Sequence, residues 1–484
     1  MSTKRKILVW VLGLLLLAAV VIAWVLRGDH ANLSLDEGSG ADPTLQDPNP
    51  ERIPTVKIAK PVGWAENEVP RSADGLAVTR FAEGLEHPRT IFTMPNGDVL
   101  VSLTRAPTKP AGGITEWVTN LFMSRAGAAG DSPNKLVLLR DTDGDGSADM
   151  RKVLLDTLNS PSGIAWRDGT LYLANHDALL SYAYEMGAAT IDSQPDKLMD
   201  LPPAGNHWMR NIILSQDGTY IYVAVGSATN IADNGMEAEK GRAAIWRYNL
   251  LTKRESLFAS GLRNPNGLAW SPWVGELWTT VNERDLLGSD LVPDYLTNVP
   301  LGVNYGWPWV YYKDTIDERV TIPMPIYTTE YTRRPEFALG PHVAALGLVF
   351  SKQGTTMGEK FGNGAFIARH GSWNRKPPSG YDVVYVAFDE LGNPLGKPVP
   401  VLTGFLNDNG TTKGRPTWAA WSGDGALLIS DDTGGIIWRV TSPGAAPRAA
   451  IIPPKFEPLA PQRQLQGDPQ DRLIEKYARE QVAQ

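Results

Sequence analysis

The chain has 484 residues, a formal net charge of −7 and no cysteine. The acidic balance argues against a nucleic-acid partner, which needs a basic surface, and the lack of cysteine excludes disulfides, a thiolate nucleophile and a cysteine metal site. The 47 glycines and 16 tryptophans favour an all-β protein with many tight turns, because glycine supplies the positive φ angles that hairpins need.

The amino terminus predicts a membrane anchor. Residues 4–6 are basic, and residues 7–26 are an uncharged apolar run, which as a helix spans about 30 Å, the thickness of the hydrocarbon core. The basic residues put 1–6 in the cytoplasm. We therefore expect a single-pass protein of the inner membrane whose body faces the periplasm. A cleaved signal peptide is the alternative, although it usually has a shorter apolar segment and a small-residue cleavage site.

The composition divides the rest of the chain into three parts. Residues 27–75 mix acids with Gly, Ser and Pro, which predicts a flexible linker that packs on the body only near its end. Residues 76–445 form the globular body. Residues 446–484 are a proline-rich tail that ends in a short helix.

A repeated pattern fills the body. Each copy has a polar or glycine-containing start, a short apolar strand, a turn that often contains Asp-Gly or Asn-Gly, and a second apolar strand. The six copies span residues 84–101, 160–174, 205–225, 263–280, 345–368 and 414–430. Further apolar runs between them have the length of outer strands. This periodicity predicts an all-β, six-bladed β-propeller, in which the loops of all blades meet around one axis.

Polar residues stand at the starts of several copies. His207 precedes the third copy's strand and is the candidate catalytic residue; the alternative is a histidine that only bonds a loop carbonyl. Arg263, Asn264, Arg375 and Arg415 begin or follow other copies. Arginines that converge on an axis recognise a planar polyanion, although each could instead pair with an acid such as Asp432 or Glu283.

Two acidic stretches are candidate metal sites. Asn282 and Glu283 follow an inner strand and offer the oxygen ligands that calcium prefers. Asp141, Asp143 and Asp145 match the first half of an EF-hand loop, but Lys152 stands where the bidentate glutamate is expected. A β-turn loop is the alternative for this second stretch.

Five motifs in order resemble the pyrroloquinoline quinone (PQQ) dependent sugar dehydrogenases, and most closely their sorbosone dehydrogenase-like members. The resemblance covers residues 78–442. It is carried by Gly-Asn-His-Trp at 205–208, Arg-Asn-Pro-Asn-Gly at 263–267, Asn-Tyr-Gly-Trp-Pro at 304–308, His-Gly-Ser-Trp-Asn-Arg at 370–375 and Gly-Arg-Pro at 414–416.

The resemblance implies oxidation of a sugar or sugar aldehyde, with PQQ over the propeller axis and electrons passed on to a quinone or cytochrome. It implies that His207 is the general base, a role that suits an imidazole. Arg263, Asn264, Arg375 and Arg415 would contact the cofactor.

The resemblance further implies that the main-chain oxygens of Asn282 and Glu283 hold a catalytic calcium, which would act as a Lewis acid. The chain departs from the soluble glucose enzyme at Ser162, Asn206 and Thr417, which puts glucose specificity in question. Two other functions fit a six-bladed propeller: a calcium-dependent lactonase, and a membrane-tethered binding protein without chemistry.

Overall fold

The computed structural model describes residues 27–107, 130–203 and 205–451, together with isolated residues between 5 and 17 and between 124 and 127. Its strands form six antiparallel sheets of four or five strands, in chain order. The inner strands of successive sheets contact one another, and the sixth contacts the first, which closes a ring. The prediction of an all-β, six-bladed propeller is confirmed.

Each blade is a meander that runs outward from the axis. Blades 1 to 3 consist of Pro88–Thr93, Val99–Leu103, Lys135–Arg140 and Met150–Leu155; of Gly163–Arg167, Thr170–Ala174, Ala178–Ala183 and Asp196–Asp200; and of Ile212–Leu214, Tyr220–Val225, Ala244–Asn249 and Arg254–Ser260. Blades 4 to 6 consist of Pro265–Trp270, Leu277–Val281, Pro293–Asn298 and Phe337–Pro341; of Ala345–Phe350, Gly364–Arg369, Asp382–Phe388 and Pro394–Thr403; and of Pro416–Trp421, Leu427–Asp431, Ile436–Thr441 and Ala77–Ala82.

Ala77–Ala82, the outer strand of blade 6, comes from the beginning of the body and pairs with Ile436–Thr441 near its end. This pairing ties the two ends of the propeller together. Smaller elements complete the fold: the strand pairs Lys60–Pro61 with Thr411–Thr412 and Val310–Tyr311 with Thr315–Ile316, a helical turn at Thr328–Tyr331, and a 3-10 turn at Glu359–Phe361.

The segment 27–75 differs from the predicted flexible linker, because it contacts the propeller along its length. Ser39–Gly40 and Arg71–Ser72 add fifth strands to blades 4 and 5. Lys376 Nζ donates to Arg27 O at 2.8 Å, and Trp64 Nε1 donates to Asp431 Oδ2 at 2.8 Å. The outer strand of a blade has unpaired backbone N–H and C=O groups, and an added strand forms hydrogen bonds with them. The sequence did not predict these added strands because two residues are too few to show an alternating pattern.

The predicted anchor at 7–26 lies for the most part outside the described residues, and the predicted tail helix lies outside them entirely. In the part of the chain that the structure describes, no helix combines the length and apolar character needed to cross a membrane.

Glycine lets the inner strands approach closely. A Cβ on Gly267 would lie 2.4 Å from Leu346 O of the next blade, and a Cβ on Gly347 would lie 2.5 Å from Ala419 N of the blade after that. These obstacles are backbone atoms, so they cannot rotate away. The narrow centre of the propeller therefore depends on the absence of a side chain at these positions.

We expect Gly267→Ala to lower the free energy of unfolding by about 1–3 kcal/mol, the usual cost of overpacking. Urea unfolding followed by tryptophan fluorescence measures this. Gly362→Ala is the matched control, because its nearest non-neighbouring atom would lie 3.3 Å away, at a surface turn. Equal stability of the two variants would show that blades 4 and 5 can separate without cost.

Candidate active site

Polar loops gather on one face of the propeller. In each meander the start of the inner strand and the end of the second strand lie at the same end, which we call the upper face; the turns between third and fourth strands lie on the lower face. Five of the chain's six histidines lie in loops of the upper face: His87, His176, His207, His342 and His370.

His207 is partly buried in the loop that enters blade 3. Its Nδ1 lies 2.8 Å from Ser227 O and 3.0 Å from Ser227 Oγ. Because a carbonyl oxygen can only accept, Nδ1 carries the proton and Nε2 keeps a lone pair. The alternative predicted from the sequence, a histidine that bonds a loop carbonyl, is therefore also observed. This hydrogen bond favours the tautomer whose Nε2 can accept a proton.

The surroundings keep His207 neutral. Burial lowers the pKa of His207 to about 3, and the nearby Arg263 guanidinium lowers it in the same direction. An imidazole that is uncharged at neutral pH has its Nε2 lone pair available throughout the physiological range, but a pKa near 3 makes it a weaker base than the near-neutral pKa that favours general-base catalysis.

Asn264 lies directly beside His207. Both side chains pack against Gly226, since a Cβ there would lie 2.4 Å from Asn264 Oδ1 and 2.6 Å from His207 Cβ. Asn264 Nδ2 also donates to Asn282 Oδ1 at 3.2 Å. The structure therefore brings together three of the predicted site residues, from blades 3 and 4.

Arg210 holds the loop that carries His207. The side chain is fully buried, and its Nη1 donates to His207 O at 3.1 Å and Met209 O at 3.0 Å. The backbone N–H of Arg210 donates to Ser162 Oγ at 2.7 Å. Ser162 thus uses its hydroxyl to position the loop.

Arg263 is saturated by the protein. Its Nε and Nη2 donate to Asn230 O at 3.2 Å and Asn230 Oδ1 at 2.9 Å, and Nη2 also donates to Asp285 Oδ2 at 2.8 Å. Its Nη1 donates to the main-chain oxygens of Asn282 and Glu283. These bonds use all five guanidinium donors, so a direct contact of Arg263 with the cofactor would require one of them to be exchanged, and that contact stays a prediction.

The same bonds bear on the predicted calcium site at Asn282 and Glu283. The main-chain oxygens that would hold the ion accept from a guanidinium instead. The Glu283 carboxylate is buried and accepts from Arg284 Nε at 2.9 Å. A cation beside Arg263 would meet like charge, so these residues do not fit calcium in this arrangement.

Asp285 connects this network to a second histidine. Its Oδ1 accepts from Asn374 Nδ2 at 2.7 Å and lies 3.5 Å from His342 Nδ1. Burial alone would raise the pKa of Asp285, but Arg263 and His342 bring it well below its usual range. Burial would lower the pKa of His342, but Asp285 raises it. Asp285 is therefore an anion held by cationic partners.

A second cluster lies on the same face, around Asp432. Its Oδ2 accepts from Arg89 Nη1 at 2.6 Å, and lies 2.9 Å from His370 Nε2 and 3.8 Å from His87 Nε2. Burial lowers the pKa of His87 to about 4 and also lowers that of His370. Burial opposes ionisation of Asp432, but its histidine and arginine neighbours keep its pKa well below the usual value.

Arg415 adds a further cation to this cluster. Its guanidinium lies 5.0 Å above the Tyr381 ring and Nη2 donates to Tyr381 Oη at 3.2 Å. Nε of Arg415 and Nε of Arg89 are both buried without a hydrogen-bond partner among the described residues. Arg89 lies 5.5 Å over the Trp208 ring, next to His207. Two guanidinium groups on one face, each with an unused donor and one of them over the ring next to His207, fit a polycarboxylate such as PQQ.

Arg375 lies in an upper-face loop of blade 5, and its donors bind other parts of the protein. Its Nε donates to Ser289 O at 3.0 Å, Nη1 to Pro377 O at 3.0 Å, and Nη2 to Leu33 O at 3.1 Å and Asp290 Oδ1 at 3.2 Å. The side chain therefore fastens the segment 27–75 to the upper-face loops.

The Asp141 loop lies on the lower face, between the third and fourth strands of blade 1. Carboxylate oxygens of Asp141, Asp143 and Asp149 lie within 4.8 Å of one another. Asp145 is outside this group, and its Oδ1 accepts from Ser147 N at 2.7 Å. Calcium at this loop stays a prediction, and the loop is remote from His207 because it belongs to the opposite face.

Sequence reasoning missed Arg89. It is the second residue of the inner strand of blade 1, after Pro88, and Asn266 and Thr417 hold the same place after Pro265 and Pro416 in blades 4 and 6. Asking which residue occupies this position in every copy would have found it. Arg89 supplies a second cation next to Arg415, where Thr417 only donates to Arg415 O at 3.2 Å.

The six blades form a closed propeller that brings a histidine and several arginines to one face. The model of the TrAA12-like family matches residues 134–296 and 328–443, more than half of the chain, so the chain belongs to this family.

Individual relatives agree with this assignment. An uncharacterized protein of Borreliella burgdorferi is 30% identical over 59% of this chain and 76% of the relative. The PQQ-dependent pyranose dehydrogenase of Coprinopsis cinerea is 32% identical over 24% of this chain, but this covers only 18% of the dehydrogenase. The holo form of its PQQ domain shares the fold, with a TM-score of 0.61, 20% identity, and coverage of 79% of this chain and 100% of that domain.

Proposed function

We propose that the chain is a PQQ-dependent dehydrogenase that oxidises a sugar or sugar aldehyde of the aldose or sorbosone type. The observation that carries the proposal is the neutral His207, with Nε2 able to accept a proton, on the same face as two arginines with an unused donor: Arg89, which lies over the neighbouring Trp208 ring, and Arg415. The TrAA12-like family and the pyranose dehydrogenase relative support it.

Different residues of the site would bind the cofactor, accept the proton and orient the substrate. Arg89 and Arg415 would hold the carboxylates of PQQ by charge-assisted hydrogen bonds. PQQ, when bound, supplies the two-electron acceptor that takes hydride from the substrate carbon. His207 would take the hydroxyl proton at Nε2, while its bond to Ser227 O and the Arg210 clamp keep the ring oriented. Asn264, beside His207, would orient the substrate oxygen or the cofactor.

The proposal includes a cellular setting. The apolar run at 7–26 would anchor the chain in the inner membrane with its body in the periplasm, where a quinone or cytochrome would accept the electrons. Calcium at Asn282 and Glu283 is not part of the proposal, because Arg263 occupies the oxygens concerned.

The test is a titration of the full chain in detergent with PQQ, followed by absorbance and by dye reduction with a panel of aldoses and sorbosone-like aldehydes. We expect stoichiometric binding and dye-linked activity. Arg415→Met should weaken PQQ binding at least tenfold, since a hydrogen bond to a charged group contributes about 1.5–3 kcal/mol. Arg254→Met, exposed on blade 3, is the control. No binding at micromolar PQQ would overturn the proposal, and cleavage of lactones without PQQ would support the lactonase.

The pH dependence follows from the pKa of His207. Because the folded pKa is depressed to about 3, the base is neutral above that pH and is lost by protonation only near it. We expect kcat/KM to show no acid limb from His207 between pH 7 and pH 5. A limb near the unperturbed value of about 6.5 that vanishes in a His207 variant would contradict this.

A further inference from the structure

An exposed apolar patch lies on the long insertion between the third and fourth strands of blade 4. Unlike the short turns at this place in the other blades, the insertion runs back to the upper face, where Trp307 N donates to Gly261 O at 3.2 Å. Ile326 is 82% exposed and Tyr331 is 78% exposed, with Met324 and Tyr327 beside them in sequence and also exposed. We call these four residues the apolar tip. Between residues 320 and 332, Glu330 is the only charged residue. Contiguous exposed apolar surface of this kind marks a contact site.

The apolar tip belongs to the upper side of the propeller. Just before it, Ile322 packs with Trp307, Ala232 and Ala243 of the upper-face loops. Trp307 Nε1 in turn donates to Asn230 O at 2.9 Å, and Asn230 also accepts from Arg263. The apolar tip is therefore connected through a few packed residues to the loops around His207.

The chain leaves the described body on the same side. Arg27 O accepts from Lys376 Nζ at 2.8 Å, and Asp29 Oδ2 accepts from Ser289 N at 2.6 Å. Lys376 and Ser289 lie in upper-face loops of blades 5 and 4. The uncharged apolar run at 7–26 directly precedes this attachment point.

From these positions we propose that the apolar tip contacts a lipid bilayer surface, so that the upper face of the propeller is turned towards the membrane. Tyrosine suits this place because its ring is apolar and its hydroxyl can remain among lipid headgroups. A bilayer that holds residues 7–26 would lie beside the upper face, and the apolar tip, with Glu330 as the one charged residue between 320 and 332, lies on that side. This inference rests on the proposed membrane attachment and not on the cofactor.

The experiment uses the absence of cysteine. Ile326→Cys in the full chain gives a single site for the fluorophore NBD. Leu251→Cys is the matched control, since Leu251 is 81% exposed but lies in the lower-face turn of blade 3. Both proteins are reconstituted into phosphatidylcholine–phosphatidylglycerol vesicles, with and without a lipid that carries a quencher near its headgroup. Flotation measures attachment separately from quenching.

We expect both proteins to float with the vesicles, and quencher lipid to reduce NBD emission at position 326 at least twofold while leaving position 251 unchanged. If the proteins float but the quencher lipid reduces NBD emission equally at both positions, or at neither, the proposal is overturned while the membrane anchor still stands. Failure to float would overturn both. Shielding of position 326 only when a soluble cytochrome is added would assign the apolar tip to a protein partner instead. Because both side chains are exposed, we expect unchanged unfolding temperatures.

Discussion

Replacing His207 by asparagine is expected to lower kcat of the PQQ-loaded protein by about 10²–10⁴-fold, the usual contribution of a positioned general base. The asparagine amide can still donate to Ser227 O, which His207 Nδ1 contacts at 2.8 Å. The loop should therefore keep its shape, while the lone pair that accepts the proton is lost. The measurement is steady-state dye reduction at saturating substrate, together with a PQQ titration of the same preparation.

Binding separates a base from a structural residue. Arg89 and Arg415 remain in the variant, so the affinity for PQQ should change by less than threefold. His176→Asn is the control, because His176 lies on the same face in blade 2. If His207→Asn kept full activity, the base would have to be another group; if it lost PQQ binding and stability together, the histidine would have a structural role.

Local patterns were sufficient to predict the blades. The hairpins around Gly97, Gly169 and Gly218 have apolar strands of the right length on both sides of a turn, and glycine provides the positive φ each turn needs. The position of His207 at the start of an inner strand follows from the same pattern. Propeller topology then brings separate loop residues to one face, which is why His207 and Asn264 could be expected to meet.

Side-chain partners could not be predicted in the same way. Arg263 and Arg375 both lie in upper-face loops, where a ligand-binding arginine would also lie, but each is bonded to segments that are distant in the sequence. Arg263 donates hydrogen bonds to Asn230 and Asp285, and Arg375 donates to Leu33 and Asp290. Whether a guanidinium is free for a ligand depends on these three-dimensional contacts, and sequence spacing does not contain them.

The second large effect is expected for Arg263→Met. Arg263 is 4% exposed and donates to the Asp285 carboxylate at 2.8 Å. Methionine fills much of the volume but leaves Asp285 as a partly buried anion with fewer partners, so the free energy of unfolding should fall by about 3 kcal/mol, the lower end for a broken buried pair. Urea unfolding of the protein without PQQ measures this directly.

A second substitution identifies the cause. Asp285→Asn added to Arg263→Met removes the unpaired negative charge and should recover part of the lost stability, which a double-mutant cycle quantifies.

The pH dependence of the free energy of unfolding should change in the same direction. In the wild type, the low folded pKa of Asp285 contributes stability that is present above the unfolded pKa and is lost as the pH falls below it. That contribution should shrink in Arg263→Met. Unchanged stability with a large loss of PQQ affinity would instead show that Arg263 contacts the cofactor, and that its bonds to Asn230 and Asp285 are exchanged on binding.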